Sequence, residues 1–366
     1  MMITEDTTQL MMKEISKAKN ASIVVGVVTK DGRFIEGFVQ NQMPKINVGD
    51  LFFEIGSTTK TFTSLLLAKL VTEGKISLDD PVSHYKPAYK NALSYNGKEI
   101  TFRHLATHTS RLPREDMKTI RKNLKANKQE KNNPYKSFTS DHLHQFYIDF
   151  DLKKEIGTKW GYSNIGIGLL GNILAELEKL SYEEAIQKYI LEPFQMKDTF
   201  ITVGNERMDR YVKAYDKKGK PVPPIELPAV DGAGAIKSTV NDLLTYLEYQ
   251  IGLRNSPLTE SIALTHERQN VKAFKRFDMG LCWMIEDVKW SKYPIYHHGG
   301  TTIGFHTYCG FMKEREIGIV IFSTVQIPLL RFLRMIVGLE DMVNTNIANQ
   351  LFEKHDILER LKHEKN

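Results

Sequence analysis

Cysteine is nearly absent from this chain. Cys282 and Cys309 are the two among 366 residues, too few for a disulfide framework, so both are expected to be reduced core thiols. Long hydrophobic runs are missing as well. No stretch reaches the roughly 18 uninterrupted apolar residues that a membrane span needs. The most apolar late segment, IVIFSTVQIPLLRFLRMIVG, is broken by Pro328, Arg331 and Arg334. The start, MMITEDTTQLMMKEISKAKNAS, has no basic opening followed by a long apolar run. It does not read as a signal peptide, and the chain as written is expected in the cytoplasm. A large excess of one charge is also lacking. The formal charge is +6 and, apart from one basic stretch, Lys and Arg are interspersed among Asp and Glu, unlike the concentrated basic footprint of a nucleic-acid binder.

What is present is an ordinary globular composition, 41% apolar and 26% charged. The length suits either two lobes or one interwoven unit. Residues 5–18 have the pattern of an amphipathic helix. SIVVGVVT (22–29) reads as a strand, Asp31-Gly32 as a tight turn and RFIEGFV (33–39) as the returning strand. After Gly56 the period becomes helical, and Gly74 stops that helix. Helical patterns then dominate at 101–108, 139–150, 164–180, 181–194 and 239–252. Strand signals return in GLCWMI (280–285), HTYCGFM (306–312) and IGIVIFST (317–324), and 329–352 is helical again.

These elements predict an α+β fold: an antiparallel sheet built from both chain ends and flanked by helices, with a mainly helical inserted lobe. The expected division is one catalytic unit over 1–366, with an α/β lobe at about 1–75 plus 255–366 and a helical lobe at about 76–254. A groove between lobes is the expected ligand site. One segment stands apart. REDMKTIRKNLKANKQEKNNPYK (114–136) is polar and strongly basic; it reads first as a solvated, mobile loop, and second as a lid or rim beside the cleft.

In FEIGSTTKTF (53–62), Ser57 stands where an extended segment becomes a helix. Gly56 permits a tight turn, and the first-turn N–H groups favour negative charge near the serine. Lys60 lies at i+3, on the same helix face. A partly buried lysine can lose its proton and serve as a base, which activates a serine hydroxyl as nucleophile. Alone, Ser-x-x-Lys is common, and Ser57 reads equally as a helix cap.

Two more segments bear on this choice. Tyr162-Ser163-Asn164 follows the Trp160-Gly161 turn, where a short loop would aim the Tyr162 hydroxyl and Asn164 amide at one spot; the plainer reading is a buried tyrosine plus an Asn cap. In YHHGGTTIGFHTYCGF (296–311), His298-Gly299-Gly300 precedes a strand. Paired glycines let backbone approach a ligand, and an N–H just beyond them could complete an oxyanion hole.

Ser-x-x-Lys, then Tyr-x-Asn about 100 residues on, then His-Gly-Gly some 130 residues later, resembles the motif order of serine β-lactamases and penicillin-binding proteins. The spacing is most similar to the class C β-lactamase branch with its D-Ala-D-Ala carboxypeptidase, D-aminopeptidase and esterase relatives. ITFRHLATHTSRLP (100–113) and DGAGAIKSTVNDLLTYL (231–247) resemble accessory segments of that branch, and the likeness runs from about residue 20 to 325. The resemblance implies a β-lactamase/transpeptidase-like fold and a Ser57 acyl-enzyme, with Lys60 and Tyr162 moving protons. Asn164 would orient the substrate amide. His298, Gly299, Gly300 and Thr301 would line the substrate strand, with the Ser57 and Thr301 N–H groups as oxyanion hole. It implies a small-molecule or peptide substrate (a D-amino-acid peptide or amide, an ester or a β-lactam), no cofactor, no metal and no nucleic acid. Nothing in the sequence fixes an oligomeric state.

Two positions depart from the branch pattern. His298 stands where many relatives carry lysine, so a pH-dependent cation replaces a permanent one; peptidase or esterase action is then expected over efficient β-lactam hydrolysis. Arg111 occupies a usual glycine position and is expected to reshape its turn. Other chemistries fit poorly. GSTTKT lacks the glycines of a P-loop, GYSNI lacks the last glycine of a nucleophile elbow, and His104/His108 lack the glutamate of a zinc protease helix. The alternative outside catalysis is a penicillin-recognising scaffold or sensor that has lost turnover.

Overall fold

A computed structural model describes residues 3–16, 20–40, 46–216, 218–274, 276–327 and 342–363. Eight antiparallel strands form the main sheet: β1 (Ser22–Thr29), β2 (Gly32–Val39), β3 (Lys272–Ala273), β4 (Phe277–Met279), β5 (Met284–Glu286), β6 (Ile295–Thr301), β7 (His306–Met312) and β8 (Ile317–Ser323). Their order is β2-β1-β8-β7-β6-β5-β4-β3. The two ends of the chain therefore meet at β1 and β8, in a register that pairs Ile23 with Ser323 and Thr29 with Ile317.

β1 is apolar along nearly its whole length because both of its faces are covered. Val24 and Val28 join the larger core, whereas Ile23, Val25 and Val27 pack with Met11, Ile347, Leu351 and Phe352 of the terminal helices. Those helices are α1 (Glu5–Ser16) and, last in the chain, Val343–His363. The other face carries a helix over Val240–Ile251. Glycine at position 26 lets that helix approach, since a β-carbon there would sit 2.4 Å from Val240 Cγ1.

Between the sheet halves runs the helical part of the chain: α2 (Thr59–Thr72), α3 (Phe102–Ala106), α4 (Met117–Ala126), α5 (Ser140–Asp149) and α6 (Asn164–Leu177), then Tyr182–Ile186, Val240–Ile251 and Thr259–His266. α2 is buried from Thr59 through Leu70, so it is a central helix with apolar residues on all sides. It ends where Gly74 takes φ +69°, with the Gly74 N–H donating to the Val71 carbonyl.

Two expectations need correction. Residues 114–136 are not a loop: α4 and a short 3-10 turn over Lys128–Asn132 occupy most of them, because Asp116 caps α4 by accepting from the Thr119 N–H. GLCWMI is not one strand, since the ladder stops at Met279 and resumes at Met284, with Cys282 at φ +59°. Of the helix expected over 329–352, residues 329–341 lie outside the described ones, and 343–352 are helical. Both cysteines are buried and free, as expected.

Candidate active site

Gly56 sits at φ +49°, which L side chains adopt at a cost, and the chain there swings from Phe53–Glu54 into a 3-10 turn, Gly56–Thr58, that leads into α2. Ser57 is in that turn, half-buried. It is not a helix cap: α2 has no side-chain cap. Instead the Ser57 hydroxyl receives a hydrogen bond from the Lys60 ammonium, Nζ to Oγ 3.2 Å. The same Nζ donates to the carbonyl of Ala233, in the turn over Asp231–Ala233 that packs on α2.

Lys60 is fully buried. Burial pulls its pKa down to about 7, and the Arg114 cation adds to the fall while the Cys282 and Glu115 side chains oppose it. Roughly half of the Lys60 side chains are therefore neutral amines near neutral pH. Tyr162 completes the group. Its ring centroid is 4.9 Å from Lys60 Nζ, and its hydroxyl hydrogen-bonds Ser57. Burial pushes the phenol well above its ordinary pKa, although the bond to Ser57 and the Arg114 cation act against this. The phenol thus stays protonated at neutral pH.

The loop that delivers Tyr162 is pinned by His108. The Gly161 N–H donates to the His108 carbonyl at 2.7 Å and the Ser163 N–H to His108 Nδ1 at 3.2 Å, with the two rings 4.4 Å apart. Ser163, rather than Asn164, caps α6 by accepting from the Gly166 N–H. His104, one turn before His108, closes a capping box with Thr101. Among the described residues no His, Cys, Asp and Glu group could hold a metal.

β6 lies against the Ser57 turn. A β-carbon on Gly300 would sit 1.9 Å from the Ile55 carbonyl oxygen and 3.2 Å from the Ser57 nitrogen; one on Gly56 would sit 2.8 Å from the Thr301 nitrogen. The two N–H groups expected to flank an oxyanion are thus on neighbouring backbones. Gly299 is exposed, and its carbonyl accepts from His298 Nδ1 at 2.7 Å. Burial holds His298 at about pKa 3, with Lys60 lowering it further, so this imidazole is neutral rather than cationic.

Asn164 Nδ2 donates to Glu115 Oε1 at 3.0 Å, where the Tyr135 hydroxyl also donates at 2.6 Å, and its Oδ1 is buried and unpartnered. Arg111 takes φ +69°, the left-handed geometry that glycine fills most easily. Residues missed by sequence reasoning are Ala233, Glu115 and Arg114. Ala233 acts through its carbonyl, which no side-chain pattern signals.

The family model for β-lactamase matches residues 11–335. This chain belongs to the β-lactamase family. Membership supports a serine hydrolase. The family member is 26% identical over 363 residues to a β-lactamase of Providencia stuartii, covering 89% of this chain and 87% of that protein. It is 28% identical over 313 residues to the D-alanyl-D-alanine-carboxypeptidase/endopeptidase AmpH of Escherichia coli strain K12, covering 82% and 78%. A class C β-lactamase structure from Rhodobacter sphaeroides superposes with a TM-score of 0.75 at 22% identity, covering 95% of this chain and 100% of that one. A β-lactamase/D-alanine carboxypeptidase from Pseudomonas syringae gives 0.73 at 19% identity, covering 90% and 97%. The fold of this family member is therefore β-lactamase/transpeptidase-like. Among its described residues no helix is long and apolar enough to cross a membrane.

Proposed function

We propose that this chain hydrolyses D-amino-acid peptides or amides, esters or β-lactams through a Ser57 acyl-enzyme, with peptidase or esterase action favoured over efficient β-lactam turnover. The observation that carries the reading is the contact of Lys60 Nζ with Ser57 Oγ at 3.2 Å, made by an amine whose pKa burial lowers to about 7. A base that neutral at working pH is matched to the task of deprotonating a hydroxyl.

The neutral Lys60 amine takes the Ser57 proton as Oγ bonds to the substrate carbonyl carbon. Because the Tyr162 phenol keeps its proton, it acts as relay and donor rather than as phenolate base. The proton passes through Tyr162 to the departing amine or alcohol as its bond to the carbonyl carbon breaks. Water then attacks the ester, its proton returns by the same route, and Ser57 is released. The Ser57 and Thr301 N–H groups serve the developing oxyanion, and His298 to Thr301 line the strand on which substrate lies. A neutral His298 provides no fixed charge of its own for a β-lactam carboxylate, which lowers the expected β-lactam turnover and leaves ester and peptide action open. The names of the similar proteins, a β-lactamase and a D-alanyl-D-alanine-carboxypeptidase/endopeptidase, agree with this substrate range.

Labelling with a fluorophosphonate and with a fluorescent β-lactam, repeated on Ser57→Ala, tests the reading. Labelling that disappears with Ser57 is expected. A panel of p-nitrophenyl acetate, nitrocefin and a D-Ala-D-Ala peptide should show ester hydrolysis with weak nitrocefin turnover. Intact protein that neither labels nor turns over any of the three would point to a scaffold or sensor instead.

A further inference from the structure

The positive charge of this chain is not spread evenly. Residues 114–136 hold eight Lys and Arg against three Asp and Glu, a net +5 of the chain's +6. Among the described residues, Lys118, Arg121, Lys122, Lys125, Lys128 and Lys131 are exposed and none forms an ion pair; in this segment only Arg114 and Lys136 do. Unpaired cations on one short segment produce a field that reaches about a Debye length, roughly 8–10 Å, into solvent.

The segment is tied to the active site at both ends. The Arg114 carbonyl accepts from the Asn164 N–H at 2.9 Å, which places Arg114 beside the first turn of α6. The Tyr135 hydroxyl folds back onto Glu115 at 2.6 Å, the same oxygen that the Asn164 amide reaches. These contacts hold both ends of the cationic segment beside the loop that carries Tyr162. Arg114 stands at the start of that segment, its guanidinium carbon 5.0 Å from the centroid of the Tyr162 ring. Glu115 lies 3.7 Å from it, but only 13% of the Glu115 side chain is exposed against 67% of Arg114. A ligand entering over Tyr162 therefore meets the guanidinium first. Its planar donors suit a carboxylate in two parallel hydrogen bonds.

We propose that Arg114 reads a carboxylate on the substrate, and that the field of the exposed cations from Arg114 along α4 draws such substrates to Ser57. This rests on the hydrolase reading above and narrows its substrates to anionic acyl compounds. It also accounts for how such substrates are held when the neighbouring His298 carries no charge.

The test uses two esters of one leaving group, neutral p-nitrophenyl acetate and the carboxylate-bearing mono-p-nitrophenyl glutarate. The unaltered protein should prefer the anionic ester, and the preference should shrink as sodium chloride is raised. Arg114→Gln should lower kcat/KM for the anionic ester roughly tenfold more than for the neutral one, the size of one lost charge-assisted contact. Arg114→Lys should retain part of the preference. Lys122→Gln/Lys125→Gln should flatten the salt dependence. A merely structural role for Arg114 would lower both esters alike, and that result, or a ratio indifferent to salt and to Arg114→Gln, overturns the proposal. If the unaltered protein turns over neither ester and Ser57 does not label, the hydrolase reading itself fails.

Discussion

Gly300 and Ile55 meet so closely that no side chain fits between them. A β-carbon on Gly300 would lie 1.9 Å from the Ile55 carbonyl oxygen, so the chain must move to admit a methyl. Gly300→Ala should push β6 away from the Ser57 turn, destabilise the protein by about 1–3 kcal/mol and sharply reduce ester hydrolysis. Urea melts and steady-state rates check this. Unchanged melting and turnover would mean that the contact is not as drawn.

Lys60→Met removes the base and keeps the packing volume. The rate should fall by roughly 10²–10⁴. In the unaltered protein, kcat/KM for a neutral ester should rise with pH through about 7, the value to which burial lowers Lys60, and the variant should lack this limb. Stability carries the same signature. The buried amine binds its proton less tightly when folded than when unfolded, so stability is full above the ordinary lysine pKa and declines as pH falls toward about 7. Thermal melts across that window should slope upward with pH in the unaltered protein and less so in Lys60→Met.

Tyr162→Phe deletes the hydroxyl but keeps the ring that packs 4.4 Å from the His108 ring. If the phenol relays protons, kcat should drop by roughly 10²-fold or more with KM little changed. An unaltered kcat would assign the whole proton path to Lys60.

His298→Lys places a permanent cation beside Lys60, whose charge already depresses the histidine. Like-charge repulsion should move the Lys60 limb of the pH profile below about 7, and nitrocefin turnover should increase. A limb that stays in place would show that the two side chains do not share a field.

Arg111→Gly relieves a left-handed residue at φ +69°. Among the described residues, against that gain stands the long hydrogen bond of 3.4 Å from Arg111 Nη1 to the Lys159 carbonyl. The variant should be more stable by about 1 kcal/mol, seen as a higher melting temperature. A lower one would assign Arg111 a structural role.

The chain's own periodicity determined most of its elements. SIVVGVVT and HTYCGFM were legible as strands because a run buried on both faces must be apolar, and the Ser57 helix was legible between Gly56 and Gly74. Ser57, Lys60 and Tyr162 could be named from residue type and order, since i+3 spacing on a helix is a local matter. Tertiary structure alone decided the charges. Burial makes Lys60 a near-neutral amine and His298 a neutral imidazole, and burial is a property of what the rest of the chain places around a residue. It also decided that Ala233 holds Lys60 through a backbone oxygen, which every residue possesses. Likewise, the basic run at 114–136 read as a loop because its composition is polar. Only the packing of Arg114 and Tyr135 around Asn164 and Glu115 brought its two ends to the candidate site.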